Sequence, residues 1–169
     1  MADEARGQGE ERVFDVVFTC AAHNAKGMRT DMRAVMVEPD HAEFDLATDE
    51  GAFHGGGGTA PTPLMLFAGG LAACLMTQLR AFSKRLRIDV GAITLNTRLH
   101  WRGRQRGREP YVTEPVGFSI DIELEGTASL EDRLRLIEAA KKGCFVEQTL
   151  MRPNAIAHRL KDGETWVDA

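Results

Sequence analysis

With 169 residues, 43% of them apolar and 27% charged, the chain has the composition of an ordinary globular protein and enough length to bury a core. Its net charge of −4 argues against a nucleic-acid partner, and three cysteines are too few for a disulfide framework. No cationic segment followed by an apolar run opens the sequence, and the longest apolar run, Leu64 to Met76, falls short of a membrane span. These features predict a cytoplasmic protein with no membrane contact, in a compartment where disulfides are mostly transient.

Residues 1–11 (MADEARGQGEE) are polar and predicted to form a disordered tail, leaving 12–169 as a single domain. Val13 to Thr19 is rich in β-branched and aromatic residues and reads as a strand. A turn follows over Ala21 to Gly27, with Asn24 and Gly27 as turn formers. Thr30 to Val37 reads as a second strand ended by Pro39-Asp40, and alternation from Ala42 to Leu46 marks a third. A loop from Glu50 to Thr62 holds the run Gly55 to Gly58. Thr62 then caps a helix whose first position is Pro63. That helix is predicted to reach about Arg87, roughly 37 Å on. Its first half is apolar all round and needs cover on every face. Gly69-Gly70 within it suggests that another backbone packs closely there. One antiparallel sheet covers one side only, so the pattern predicts a homodimer.

Two cleanly alternating strands come next, from Ile93 to Trp101 and from Val116 to Leu124, joined by a long polar hairpin loop. Ser129 caps a second helix, with Asp132 three residues on, predicted to run to about Met151 before Pro153. Ala155 to Leu160 is expected to close the chain as a short strand. The order βββ-α-ββ-α-β defines an α+β domain.

Most residues that invite a chemical reading have a plainer one. The glycine run lacks the Lys-Ser/Thr of a phosphate loop and reads as a flexible lead-in to the helix. Arg102, Arg104, Arg106 and Arg108 read as a solvated hairpin tip. The five histidines show no metal-ligand spacing, and Cys20 sits at a strand end with no motif around it. Cys74 and Cys144, by contrast, lie in two different predicted helices. Each alone is more often core packing, but a redox pair needs one sulfur to attack and one to resolve.

The segment from Pro61 to Cys74, PTPLMLFAGGLAAC, with the following LMTQLRAFSKRLRID, resembles the central helix of the OsmC/Ohr family, the osmotically inducible and organic hydroperoxide resistance proteins. The 70-residue separation of Cys74 and Cys144 and the element order fit that family's layout. The resemblance implies an OsmC-like fold, with antiparallel sheets packed around two long central helices in an intertwined homodimer. It implies a thiol peroxidase that reduces organic hydroperoxides, with Cys74 attacking and Cys144 resolving. No bound cofactor or metal is implied; the expected reductant is an external dithiol, such as a protein-bound lipoyl group. An arginine from the preceding hairpin would hold the thiolate, here Arg29 in GMRTDMR, with Arg33 as rival. Two departures stand out: Leu64 occupies the place of the family's glutamate after the helix-opening proline, and Phe145 replaces the proline after the second cysteine. The alternative is therefore a non-enzymatic dimer that binds a hydrophobic, acyl-type ligand near Cys74.

Overall fold

The computed structural model describes residues 11–169, so all of the expected tail except Glu11 lies outside the described residues. The chain divides into two compact units, one ending at Met65 and the other starting at Leu66, within a helix.

In the first unit, β1 (Val17–His23), β2 (Thr30–Glu38) and β3 (Ala42–Thr48) form an antiparallel sheet in that order. The first strand starts four residues later than its composition predicts. Its ladder with β2 runs from Val17↔Glu38 to His23↔Asp31. Because β2 stops before Pro39, Val13 to Phe14 have no ladder partner, whatever their β propensity. The turn is correspondingly tighter, closed by the Asn24 amide donating to the carbonyls of Gly27 (3.1 Å) and Arg29 (2.7 Å). Beyond β3 the glycine-rich loop is pinned rather than loose. Asp49, 3% exposed, accepts the Glu50 N–H (2.9 Å), the Thr59 N–H (2.9 Å) and the Thr59 hydroxyl (2.8 Å). Gly56 lies so close to the Glu50 carbonyl that a Cβ there would collide with it. These glycines thus serve backbone packing.

The helix α1 (Pro63–Leu86) starts as predicted, with the Met65 N–H bonded to the Thr62 carbonyl (3.0 Å) and reached by its hydroxyl (3.4 Å). In the second unit its buried stripe is Leu71, Leu75, Leu79 and Ser83, four residues apart and so on one face. Leu75 and Leu79 pack with Ile88, Val90, Leu136, Ala140 and Cys144, flanked by Ile93, Leu95, Ile120 and Ile122. By length and composition α1 is apolar enough to cross a bilayer, and 17% of its most apolar window is buried in the chain. The expectation that the first half is covered on all faces fails within one chain. Leu64, Met65 and Leu66 are 54%, 64% and 38% exposed, and nothing approaches Gly69 or Gly70.

The strands β4 (Ile93–Arg104) and β5 (Val112–Leu124) extend further than predicted, taking in Arg102 and Arg104. Cross-strand charge pairing replaces apolar alternation there. Glu114 sits 2.6 Å from Arg104 and 4.0 Å from Arg102. Then α2 (Leu130–Gly143) opens on Ser129, whose hydroxyl accepts the Asp132 N–H (3.1 Å), as the capping signal implies. The predicted second helix does not continue to Met151. It breaks at Cys144, whose backbone is extended (φ −78°, ψ 108°), and resumes as α3 (Phe145–Leu150). The Gln148 side chain spans the break by donating to the Lys141 carbonyl (2.9 Å). The closing strand also differs: Ala155 to His158 is irregular, and β6 (Arg159–Asp162) pairs with β7 (Thr165–Asp168). The two-residue loop Gly163-Glu164, with Gly163 at φ +59° in its first position, is the hairpin signal behind that extra strand.

Gly143 sets how closely the break approaches α1. A Cβ there would lie 2.6 Å from the Phe82 ring and 3.4 Å from Gln78. Gly143→Ala is expected to destabilise the chain by about 1–3 kcal/mol through overpacking. The expected signature is a lower urea midpoint with an unchanged slope, partly recovered by adding Phe82→Leu.

Candidate functional site

The helix α1 carries Cys74 on the flank of its buried stripe, next to Leu75 and partly buried. The α2–α3 break places Cys144, wholly buried, against the same core cluster. Cys74 packs against the core cluster that holds Cys144, so the two free thiols are neighbours in one core. Burial pushes the Cys144 thiol up to about 11; the Glu147 N–H opposes this, while the bond to Cys74 and the Glu147 carboxylate add to it. Cys144 is therefore a proton-bearing thiol in the core against which Cys74 packs. An uninterrupted helix would have given Cys144 an ordinary helical backbone. The break instead places it at the N-terminal cap of α3, three residues before Glu147.

Sequence reasoning missed Glu147. One of its carboxylate oxygens, Oε2, is buried with no hydrogen-bond partner among the described residues. Burial raises its pKa from the ordinary value, Lys141 opposes the shift and Glu138 adds to it. The spacing Cys144-x-x-Glu147 is that of a capping residue and the third position of its helix, a signal that becomes readable once a helix start is placed at Cys144.

Glu147 and Lys141 are the charged residues in the wall of a cavity of about 460 Å³, otherwise apolar and lined by Leu71, Leu75, Phe118 and Ile137 among others. A second apolar cavity of about 400 Å³ opens beside Phe67, Trp101 and Phe118. Those three rings meet edge to face, with centroids 4.9 Å apart for Trp101–Phe118 and 5.9 Å for Phe67–Trp101.

The arginine candidates lie in the first unit, and their partners separate them. The Arg29 guanidinium donates to Asp31 (2.9 Å) and to the Thr59 hydroxyl (3.0 Å), which in turn donates to Asp49 (2.8 Å). Arg29 is thus oriented by Asp31 and by the Thr59–Asp49 relay, with Leu64 at the helix start. Arg33 is committed to its ladder partner Asp45 (2.9 and 3.2 Å), with Glu43 at 3.8 Å. This hydrogen-bonded pair holds Asp45 below the usual carboxylate range. Cys20 lies exposed in β1. Among the described residues, no three His, Cys, Asp or Glu side chains gather as metal ligands.

This α+β chain sets one thiol on its central helix and a second, at the α2–α3 break, in the same core. A profile of the OsmC-like protein family matches residues 55–159, and the chain belongs to that family. It is 47% identical to an OsmC-like hydroperoxide resistance protein from Jannaschia sp. CCS1, whose crystal structure superposes with a TM-score of 0.63 over 91% of this chain and 98% of that one. The fold is shared at 16% identity with an organic hydroperoxide resistance protein OsmC from Legionella pneumophila (TM-score 0.56, 83% of this chain and 91% of that one). It is shared at 17% identity with an OsmC-like protein from Mycoplasma pneumoniae (TM-score 0.54, 83% and 89%). No curated protein matches the chain.

The Cys144 thiol carries a stability signature. Its folded pKa of about 11 exceeds the unstructured value of 9.0, so between those pH values the unfolded chain has released a proton that the folded chain retains. The stabilisation is complete below pH 9 and is lost as pH rises toward 11. Thermal midpoints measured across this window under reducing conditions are expected to fall more steeply in wild type than in Cys144→Ala. Parallel curves would show that Cys144 titrates as an ordinary thiol.

Proposed function

We propose that this chain is a cysteine-based peroxidase that reduces organic hydroperoxides, with Cys74 attacking and Cys144 resolving. The observation that carries the reading is that Cys74 of α1 packs against the core cluster that holds Cys144 of the α2–α3 break. The hydroperoxide-resistance name of the Jannaschia relative supports it. In the first step the Cys74 thiolate attacks an oxygen of the peroxide bond. The O–O bond breaks, an S–O bond forms, and the departing alkoxide leaves as the alcohol after taking a proton. In the second step Cys144 attacks the Cys74 sulfenic acid, forming a disulfide and releasing water. An external dithiol then reduces the disulfide, returning two electrons and two protons.

Division of labour between the sulfurs follows from their burial. Cys144 is inaccessible and keeps its proton, which suits a resolving thiol that reacts only with its neighbour. Arg29 is the proposed thiolate-holding cation, because Asp31 and Thr59 orient it while Arg33 is engaged by Asp45. The apolar cavities supply room for the organic part of a hydroperoxide. They also support the second reading, a dimer that holds an acyl-type ligand without turnover. The proposed homodimer draws its support from the exposed Leu64, Met65 and Leu66 beside the open Gly69-Gly70 pair.

Stopped-flow reduction of cumene hydroperoxide with a dithiol reductant tests the reading. Cys74→Ser is expected to abolish turnover. Cys144→Ser should permit one oxidation of Cys74 and then stall, while Cys20→Ser and Arg33→Ala should match wild type. Arg29→Ala should slow Cys74 oxidation by about tenfold for each pKa unit of thiolate stabilisation lost. A wild-type protein that consumes no hydroperoxide yet binds a fatty acid stoichiometrically would favour the second reading.

Light scattering at micromolar concentration is expected to return twice the chain mass of 18.6 kDa. A stable species at the chain mass would remove the dimer.

A further inference from the structure

The resolving step contains a proton problem that the two cysteines do not solve between them. A thiol that titrates near 11 is ionised in only about one molecule in ten thousand at pH 7. The thiolate is the nucleophile in disulfide formation, so a base beside Cys144 has a large effect available to it. Cys74 cannot be that base once it is a sulfenic acid.

Glu147 stands where such a base is needed. It lies three residues beyond Cys144, in the first turn of α3, and its carboxylate charge adds to the upward shift of the Cys144 thiol. Its Oε2 is buried without a hydrogen-bond partner. A buried carboxylate oxygen with no partner is costly and rare in a native protein. The same side chain is among those lining the apolar cavity of about 460 Å³. Salt bridges account for the neighbouring charges: Lys141 is paired with Glu138 at 2.7 Å, leaving Glu147 outside that pair.

We propose that Glu147 carries the proton in the resolving step, accepting it from the Cys144 thiol and passing it to the hydroxide that leaves Cys74. Written out, the Cys144 S–H bond breaks toward the Glu147 carboxylate as the Cys144 sulfur attacks the Cys74 sulfur. The Cys74 S–O bond breaks, and its oxygen takes the proton from Glu147 and departs as water. The carboxylate ends unprotonated, the two sulfurs are oxidised to a disulfide by the electrons already lost to the peroxide, and no further reactant is consumed. This role rests on the peroxidase reading. It gives the chain a carboxylate in the reaction even though Leu64 begins its central helix.

The charged and titratable groups around Glu147 are Lys141 and Glu138 on α2 and the two thiols; α1 otherwise presents Leu71 and Leu75, and β5 presents Phe118, Ile120 and Ile122. A pH profile of the resolving step therefore has few other contributors in the range where carboxylates titrate.

The test follows the Cys74 sulfenic acid produced by one equivalent of cumene hydroperoxide in the full chain, timed by dimedone capture and mass spectrometry between pH 5 and pH 10. In Glu147→Gln the sulfenic acid is expected to persist about a hundredfold longer than in wild type at pH 7. The difference should shrink as pH rises and hydroxide takes over the proton, and Glu147→Asp should recover part of the rate. A wild-type lifetime in Glu147→Gln would overturn the proposal, as would a slowing that ignores both pH and the Asp variant. Absence of any sulfenic acid or disulfide in wild type would overturn the peroxidase reading and this role with it.

Discussion

Burying a thiol costs little and burying a thiolate costs a great deal. Much of the site depends on that asymmetry, because Cys144 is sealed into the core at the one place where the second helical segment gives up its hydrogen-bond ladder. The break serves two ends. It leaves Cys144 in the core cluster against which Cys74 packs, and it starts a new helix whose third residue is Glu147. Gly143 allows this by omitting the Cβ that would meet Phe82 on α1. The core stripe of α1, Leu71, Leu75 and Leu79, fixes the opposing wall, and Cys74 is positioned on its flank by packing.

The arginine is held differently. Arg29 takes its orientation from Asp31, two residues away, and from Thr59, which the buried Asp49 clamps in the glycine-rich loop. A loop with four consecutive glycines looks loose in sequence, yet three hydrogen bonds to one carboxylate organise it. Fixing that loop keeps an acceptor in front of Arg29 with Leu64, rather than an acidic residue, opening the helix.

The elements with strong periodicity or explicit caps were the legible ones. Thr62-Pro63 and Ser129 mark helix starts that the structure reproduces, and the alternation from Ile93 and from Val116 places both long strands on the correct face. Four features escaped. The start of β1 is decided by where β2 ends, a long-range constraint invisible in local propensity. The arginine-bearing ends of β4 and β5 are held by cross-strand charge pairs, which carry no hydrophobic period. The final hairpin hinges on Gly163-Glu164, a two-residue loop. The break at Cys144 follows from tertiary packing around Phe82 and from burial of the sulfur, neither of which leaves a local breaker in the sequence beyond Gly143. Glu147 stayed hidden behind that break, since an uninterrupted helix gives it no special relation to Cys144. The cysteines themselves were legible as a pair, while their contact required the fold.

The central claim is that Cys74 and Cys144 form one redox couple within a single chain. Peptide mapping of the protein after one equivalent of cumene hydroperoxide, under non-reducing conditions with free thiols blocked, tests it most directly. The account predicts an intrachain Cys74–Cys144 disulfide as the dominant product, with Cys20 recovered as a free thiol. Recovery of both Cys74 and Cys144 as free thiols, or a disulfide that includes Cys20, would contradict it.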